Sequence, residues 1–394
     1  MTSFMTRRRV FRFLGFIASA ILAVAPLALN FRASAQEAPH QLTNEEFWKL
    51  VSDYSEPDGT FHSENLVSNE ARYQLLMAQL VQVAKPGRAY LGVGSEQNFN
   101  YMVAVKPDLA FIVDIRRGNL DLHLMYKALF ELSSNRVEFI SRLFSIPPPS
   151  SLTTTSTVAQ IFAAYQEAPS SLTLYMQNLI AISNQLARVH GFGLASNDYR
   201  GIEYVFSRMY TNGPNLRYEL TTGTTNRRGT TGRGAGTGRG AANRGTGNRG
   251  TGNRGGLPTY AGLMVSADET GRQWSYLASE DSYRFLKDFE TRNLLVPVVG
   301  NFGGSKALRD VATYLTQKRE IVSVFYTSNV EQYLRQDNIW TNFCDSVTML
   351  PTDSTSTFIR STRSGLPGGT NGTAGFNLGL QPIAEVVRSR SPSP

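Results

Sequence analysis

A single cysteine, Cys344, among 394 residues excludes an intrachain disulfide, so the fold must be held by its core. Cys344 reads as a buried small hydrophobe rather than a nucleophile. Histidine is scarce too. His40, His62, His123 and His190 lack the spacing of a metal site, and no metal is expected. There is no G-x-S-x-G elbow and no Cys/His pair, which leaves Ser/His/Asp hydrolysis without support. Acidic residues are missing from two stretches. Residues 1–35 carry Arg7, Arg8, Arg9, Arg12 and Arg32. Residues 221–256 carry Arg227, Arg228, Arg233, Arg239, Arg244, Arg249 and Arg254. Removing these twelve arginines from the net charge of +8 leaves −4. The rest of the chain is mildly acidic and gives no sign of a specific nucleic-acid-binding core.

The basic N-terminus has the layout of an export signal. Arg7-Arg8-Arg9 precedes an apolar run, Phe13 to Leu29, and Ala33-Ser34-Ala35 is a small-residue cleavage site. The run is short for a membrane span. Cleavage at residue 35 therefore leaves an extracytoplasmic protein, periplasmic or secreted, without a transmembrane segment. Arg8-Arg9-Val10-Phe11 fits a twin-arginine signal as well as the general route. The tract 221–256 repeats Gly, Thr, Asn and Arg. It has too few apolar residues to bury a core, and disorder is expected. No aromatic interleaves, so base stacking is not available. A solvated loop expansion and a weak contact with anionic surfaces are its two readings.

The remaining pattern centres on residues 88–117, RAYLGVGSEQNFNYMVAVKPDLAFIVDIRR. An apolar run from Ala89 to Val93 ends in Gly92-Val93-Gly94. Ser95 stands where it can cap a helix from Glu96 to Val105, and Pro107 stops that helix. A second apolar run, Leu109 to Val113, ends in Asp114. Strand, glycine turn, helix, strand and acid is the order of a parallel βαβ unit that binds a nucleotide-type ligand. Glycines let the ligand approach the backbone, and the acid accepts hydrogen bonds from ribose hydroxyls. Gly92, Gly94, Ser95, Glu96 and Asp114 are the candidate cofactor-binding residues. Gln97 replaces the third glycine of G-x-G-x-x-G, which disfavours a nicotinamide oxidoreductase.

Residues 36–87 read as a helical N-terminal extension, with a capping box at Thr43 and Glu46 and an irregular polar segment from Phe61 to Asn69. Residues 88–133 form the first half of an α/β core. Residues 134–292 form a helical insertion that contains the Gly/Arg tract. Residues 293–364 complete the core, with strands at Leu294–Val299 and Ile321–Tyr326, another at Ser346–Leu350, and an edge strand at Phe358–Arg360. Residues 365–394 are expected to be loose. The loops after four strands, Gly92–Gln97, Asp114–Arg117, Gly300–Ser305 and Tyr326–Glu331, are polar or glycine-rich and fall where open parallel sheets bind ligands. Asn301, Tyr326, Asn329 and Glu331 are the catalytic candidates, with helix capping by Asn329 and a core role for Tyr326 as the structural alternatives. GNFGGSK at Gly300–Lys306 fails as a phosphate loop, because Ser305 replaces a glycine and Ala307 replaces the Ser or Thr that would hold magnesium.

AYLGVGSEQNF followed by FIVDIRR resembles the first two motifs of class I S-adenosylmethionine-dependent methyltransferases. That resemblance implies a doubly wound α/β sheet of the Rossmann type. It implies a glycine loop at Gly92 and Gly94 under the amino-acid part of the cofactor, and ribose contact by Asp114. Asn301 would face the transferred methyl, at a position where an Asp is usual. YLGVGSEQNF, VDIRR, YKALFELS, SRLFS, VPVVGNFGG, FYTSNVEQYL and STFIRS together resemble an uncharacterised bacterial family with a methyltransferase-like core. The expectation is an exported, methyltransferase-like protein that binds S-adenosylmethionine or a related small molecule. The alternative is a non-catalytic cell-envelope binding protein that reuses the fold.

Overall fold

Hydrophobic burial organises the chain around a mostly parallel sheet. The computed structural model describes residues 41–219, 257–362, 370–371 and 377–389. The segment expected to be an export signal and the Gly/Arg tract lie outside the described residues. Seven strands form one sheet among them: β1 (Ala89–Gly92), β2 (Leu109–Asp114), β3 (Leu295–Val299), β4 (Val322–Ser328), β5 (Thr357–Thr362), β6 (Thr370–Asn371) and β7 (Asn377–Pro382). Their order is β3-β2-β1-β4-β5-β7-β6. The first five run parallel, and β7 is antiparallel to both neighbours. Every residue of β1, β2 and β3 is buried. Uniform burial matches their continuous apolar runs, as a sheet covered on both faces requires.

The order reverses between β1 and β4. The chain steps outward through β1, β2 and β3 and then returns to the other side. Right-handed crossovers put α3 (Gln97–Val105) and α4 (Arg117–Leu132) on one face, and α11 (Ala307–Lys318) and α13 (Trp340–Thr348) on the other. Pro297 sits in β3, an edge strand, where its missing N–H breaks no ladder. The N-terminal helix α1 (Asn44–Tyr54) opens with the expected Thr43/Glu46 capping box and packs on β3. The helical insertion includes α5 (Arg136–Phe144), α6 (Val158–Glu167), α7 (Leu172–Asn184), α8 (Ser196–Asn212) and α10 (Glu280–Thr291).

Three expectations for the C-terminal half are corrected. Ser346–Leu350 is not a strand. Trp340, Phe343, Cys344 and Val347 recur at helical spacing, all four are buried, and the segment ends α13. Phe358–Arg360 is not an edge, because β5 lies between β4 and β7. The segment after residue 365 is not uniformly loose. Leu378 in β7, and Ile383 and Val386 in α14 (Ile383–Ser389), are buried and close that side of the sheet. The chain turns at residues 71–73 before the second helix of the N-terminal extension, α2 (Gln74–Val83).

Candidate functional site

The strand ends at the order reversal enclose a cavity of about 440 Å³, within the usual size range for small-molecule sites. Its floor comes from the loops after β1, β2, β3 and β4: Gly94, Ser95 and Gln97; Asp114 and Ile115; Asn301; and Tyr326, Ser328 and Asn329. Its roof is the irregular segment before α2, which contributes Phe61, His62, Asn65 and Ser68. That segment is strapped across the strand ends. Gly59 N–H donates to Ile115 O at 2.9 Å, and Arg117 N–H donates to Asp58 Oδ1 at 2.7 Å. The Arg116 guanidinium donates to Glu64 O, and Ser68 N–H donates to Glu96 Oε1 at 3.1 Å. The sequence offered one sign of this strap: a polar run with neither helical nor strand periodicity beside the central motif.

The glycine loop is built by its neighbours. Asn98 in α3 donates from Nδ2 toward the carbonyls of Val93 (2.9 Å), Gly94 (3.3 Å) and Ser95 (2.8 Å). Its Oδ1 accepts from the Tyr90 hydroxyl at 2.9 Å. A Cβ on Gly92 would lie 1.9 Å from that Oδ1, so Gly92 makes room for Asn98 and does not line the cavity. Gly94 has φ +79°, and a Cβ there would lie 2.8 Å from Asn65 Nδ2 in the roof. His123 Nε2 lies 2.9 Å from Gly94 O. Burial pushes His123 down to about 4, so the ring is neutral at pH 7 and donates to that carbonyl.

The other motif residues divide by position. Asp114 is on the wall, its Oδ1 accepting from Arg116 N–H at 2.9 Å. Burial raises its pKa, against the pull of Arg116. Ser95 lines the cavity but does not cap α3, which starts without a side-chain cap. Glu96 is fully buried away from the lining, raised to about 7 by burial and committed to the strap. Gln97 occupies the missing-glycine position. It is 1% exposed and lines the cavity, and its Nε2 has no protein partner. An unpartnered buried donor on a cavity wall is the feature a ligand oxygen would satisfy.

The catalytic candidates are treated differently by the fold. Asn301 lines the cavity, but its Oδ1 accepts from Gly303 N–H at 2.9 Å in a local turn. Asn329 lines it and makes no side-chain cap for α12 (Val330–Gln336). Glu331 is turned into the core, where the Arg360 guanidinium grips both carboxylate oxygens. It is therefore a structural ion pair and not a free acid or base. Tyr326 lines the cavity and hydrogen-bonds Glu70 and Ser328. Glu70, absent from the sequence-based candidates, has its carboxylate among hydroxyls. Ser328 Oγ donates to Oε1 at 3.0 Å and the Tyr101 hydroxyl to Oε2 at 3.4 Å. Burial raises it to about 7. Ser328 and Asn65 both have φ +49°; both line the cavity, where local strain commonly collects.

The loop GNFGGSK already holds an internal anion. Glu56 accepts from Asn301 N–H at 3.1 Å and from Ala307 N–H at 2.9 Å, at the start of α11. Its carboxylate sits where a phosphate would, in agreement with the failed phosphate-loop motif. Among the described residues lining the cavity there is no Lys and no Arg, whereas Asp114 and Asp337 both face it.

No curated protein matches the chain. A family model matches residues 65–194 and 249–389. These pieces span the strap from Asn65, the glycine loop, all seven strands and α14, and leave out residues 195–248, where most of the Gly/Arg tract falls. More than half of the chain is covered, and the protein belongs to the DUF7790 family, a domain of unknown function.

Proposed function

We propose that this protein binds S-adenosylmethionine, or a closely related nucleotide-type small molecule, in the cavity at the β1/β4 reversal. Methyl transfer is the reaction to test first. The observation that carries this reading is the charge of the cavity. The glycine loop and Asp114 supply a backbone approach and a ribose acceptor, as a dinucleotide or an adenosyl cofactor both need. A dinucleotide also brings a negatively charged pyrophosphate. A lining with two carboxylates and neither Lys nor Arg opposes that charge and favours a sulfonium cation. The strand order, with its reversal beside the glycine loop, supports a doubly wound sheet of the methyltransferase type. In such a site the protein would chiefly align donor and acceptor. Export of the mature protein is part of the same proposal and rests on residues 1–35.

The test is calorimetric titration of the full chain with S-adenosylmethionine and S-adenosylhomocysteine, after mass spectrometry for a co-purified ligand. Binding at micromolar affinity or tighter, about −8 kcal/mol, is expected for both. Asp114→Ala should abolish it and leave the circular dichroism spectrum unchanged. Binding that survives Asp114→Ala removes the cofactor argument. A second reading, a binding protein without turnover, is favoured by the local turn that engages Asn301 and the ion pair that engages Glu331. Binding without methyl transfer to any of a set of phenol, amine and thiol acceptors would select it.

A further inference from the structure

Glu70 lies one layer behind the cavity wall. Its carboxylate touches Ser328 and Tyr326, which line the cavity, and Tyr101, which lies on the α3 side. Tyr90 of β1 lies close enough for the charge of Glu70 to raise its pKa. These neighbours are hydroxyls, and their pKa values are all raised well above 10 by burial. They stay neutral through the physiological range. No Lys or Arg is among the described groups that shift Glu70. On the cavity surface itself the titratable groups are Asp114, Asp337, His62 and the tyrosines.

We infer that Glu70 is a specificity-determining residue of this cavity, a carboxylate set one hydroxyl behind the wall that selects a cationic ligand over its neutral counterpart. The inference rests on the adenosyl-ligand reading above. Without ligand, burial holds Glu70 near half-ionised at neutral pH. A sulfonium in the cavity favours the ionised form, so binding expels a proton. S-adenosylhomocysteine carries the same amino-acid and adenosyl ends but has a neutral sulfur. It gains nothing from the ionisation of Glu70. The sulfonium also makes the amino group of S-adenosylmethionine the more acidic of the two, so the free ligands' amino titrations are subtracted before the comparison.

The experiment is titration of the full chain with both molecules at pH 5.5, 7 and 8, in two buffers of different ionisation heat. S-adenosylmethionine should release a fraction of a proton near pH 7 beyond any released by S-adenosylhomocysteine. Its affinity should fall roughly five- to tenfold from pH 8 to pH 5.5 if the cation lowers Glu70 by about one unit. S-adenosylhomocysteine should show a smaller fall. After that subtraction, Glu70→Gln should erase the remaining difference in pH dependence between the two ligands. No remaining difference in the wild type, or one that persists in Glu70→Gln, overturns this inference and leaves the ligand reading intact. Binding of neither molecule at any pH overturns both. The corrected wild-type comparison decides if Glu70→Gln does not fold.

Discussion

Gly92→Ala should be one of the most damaging single-methyl additions in the chain, and the damage should run through Asn98. The new Cβ would sit 1.9 Å from Asn98 Oδ1 and 3.0 Å from Tyr90 Cε1. Asn98 must move. Two N–H bonds of its amide, shared among the carbonyls of Val93, Gly94 and Ser95, are then lost along with the bond from Tyr90. At about 1 kcal/mol each that is roughly 3 kcal/mol. Leaving the fully buried Tyr90 hydroxyl without a partner adds about 1–2 kcal/mol. The expected loss is about 4–5 kcal/mol. Asn98→Ala forfeits the same bonds and should cost a similar amount. In the Asn98→Ala background, however, the clash is gone, and adding Gly92→Ala should cost less than about 1 kcal/mol. Urea denaturation of the four proteins, with the slope checked for constancy, measures this cycle. Costs that add to within about 0.5 kcal/mol would mean that Gly92 and Asn98 act independently, and the reasoning would fail. Both single variants should also weaken ligand binding, because the loop that carries Gly94 loses its anchor.

Gly300→Ala places a Cβ 2.2 Å from Ala307 Cβ and 3.0 Å from Val113 Cγ1; overpacking between β2 and α11 should cost about 1–3 kcal/mol, read as a lowered melting temperature. Glu331→Ala strands the buried Arg360 guanidinium and should cost about 3–5 kcal/mol, while S-adenosylmethionine affinity stays within twofold. Adding Arg360→Met should recover much of the stability lost in Glu331→Ala, and a failure to recover would mean that the pair does more than satisfy itself. Glu290 is buried, with no hydrogen-bond partner for either carboxylate oxygen, and burial raises it to about 8. Its folded-state value exceeds its unfolded one, so the stability it confers is full below about pH 4.5 and is lost as pH rises toward 8. Glu290→Gln should flatten this slope and stabilise the protein at pH 8 by on the order of 2 kcal/mol; a pH–stability curve unchanged by the substitution would refute the assignment.

The sheet's parallel core was legible because burial on both faces writes strands as unbroken apolar runs. LAFIVD and LLVPVV could be little else, and Pro297 was tolerable once an edge was available. The C-terminal strands were harder to read. Phe358-Ile359-Arg360 looks like an edge because it ends in a charge, yet Arg360 is buried by its pairing with Glu331, a partner 29 residues away that no local pattern reveals. The cavity wall was legible where backbone geometry dictates residue type: Gly94 needs its positive φ, and Asp114 ends a strand. Gly92 was read as a glycine that lets a ligand approach the backbone, but the space over it is filled by Asn98. Glu70 and the strap were missed because their role depends on chain segments that meet only in three dimensions. Ser328 reaches Glu70 across 258 residues.

The proposed export and the proposed cofactor chemistry place opposite demands on this cavity, and rates decide between them. A periplasmic protein has no cytoplasmic supply of S-adenosylmethionine, so a ligand found there must have travelled inside the folded chain. A micromolar site with an ordinary association rate near 10⁶ M⁻¹s⁻¹ releases its ligand in about a second. Retention for some ten minutes needs a dissociation rate near 10⁻³ s⁻¹, and hence a Kd of about 1 nM. The strap from Asp58 to Ser68 is the element that can impose such slowness, since four hydrogen bonds hold it to the segments that follow β1 and β2. Slow release is also what a recycling enzyme cannot tolerate. The dissociation half-life of S-adenosylhomocysteine therefore separates the two functional readings. Minutes or longer makes the protein a carrier of a trapped ligand, and seconds makes the cavity one that must be refilled wherever the protein works.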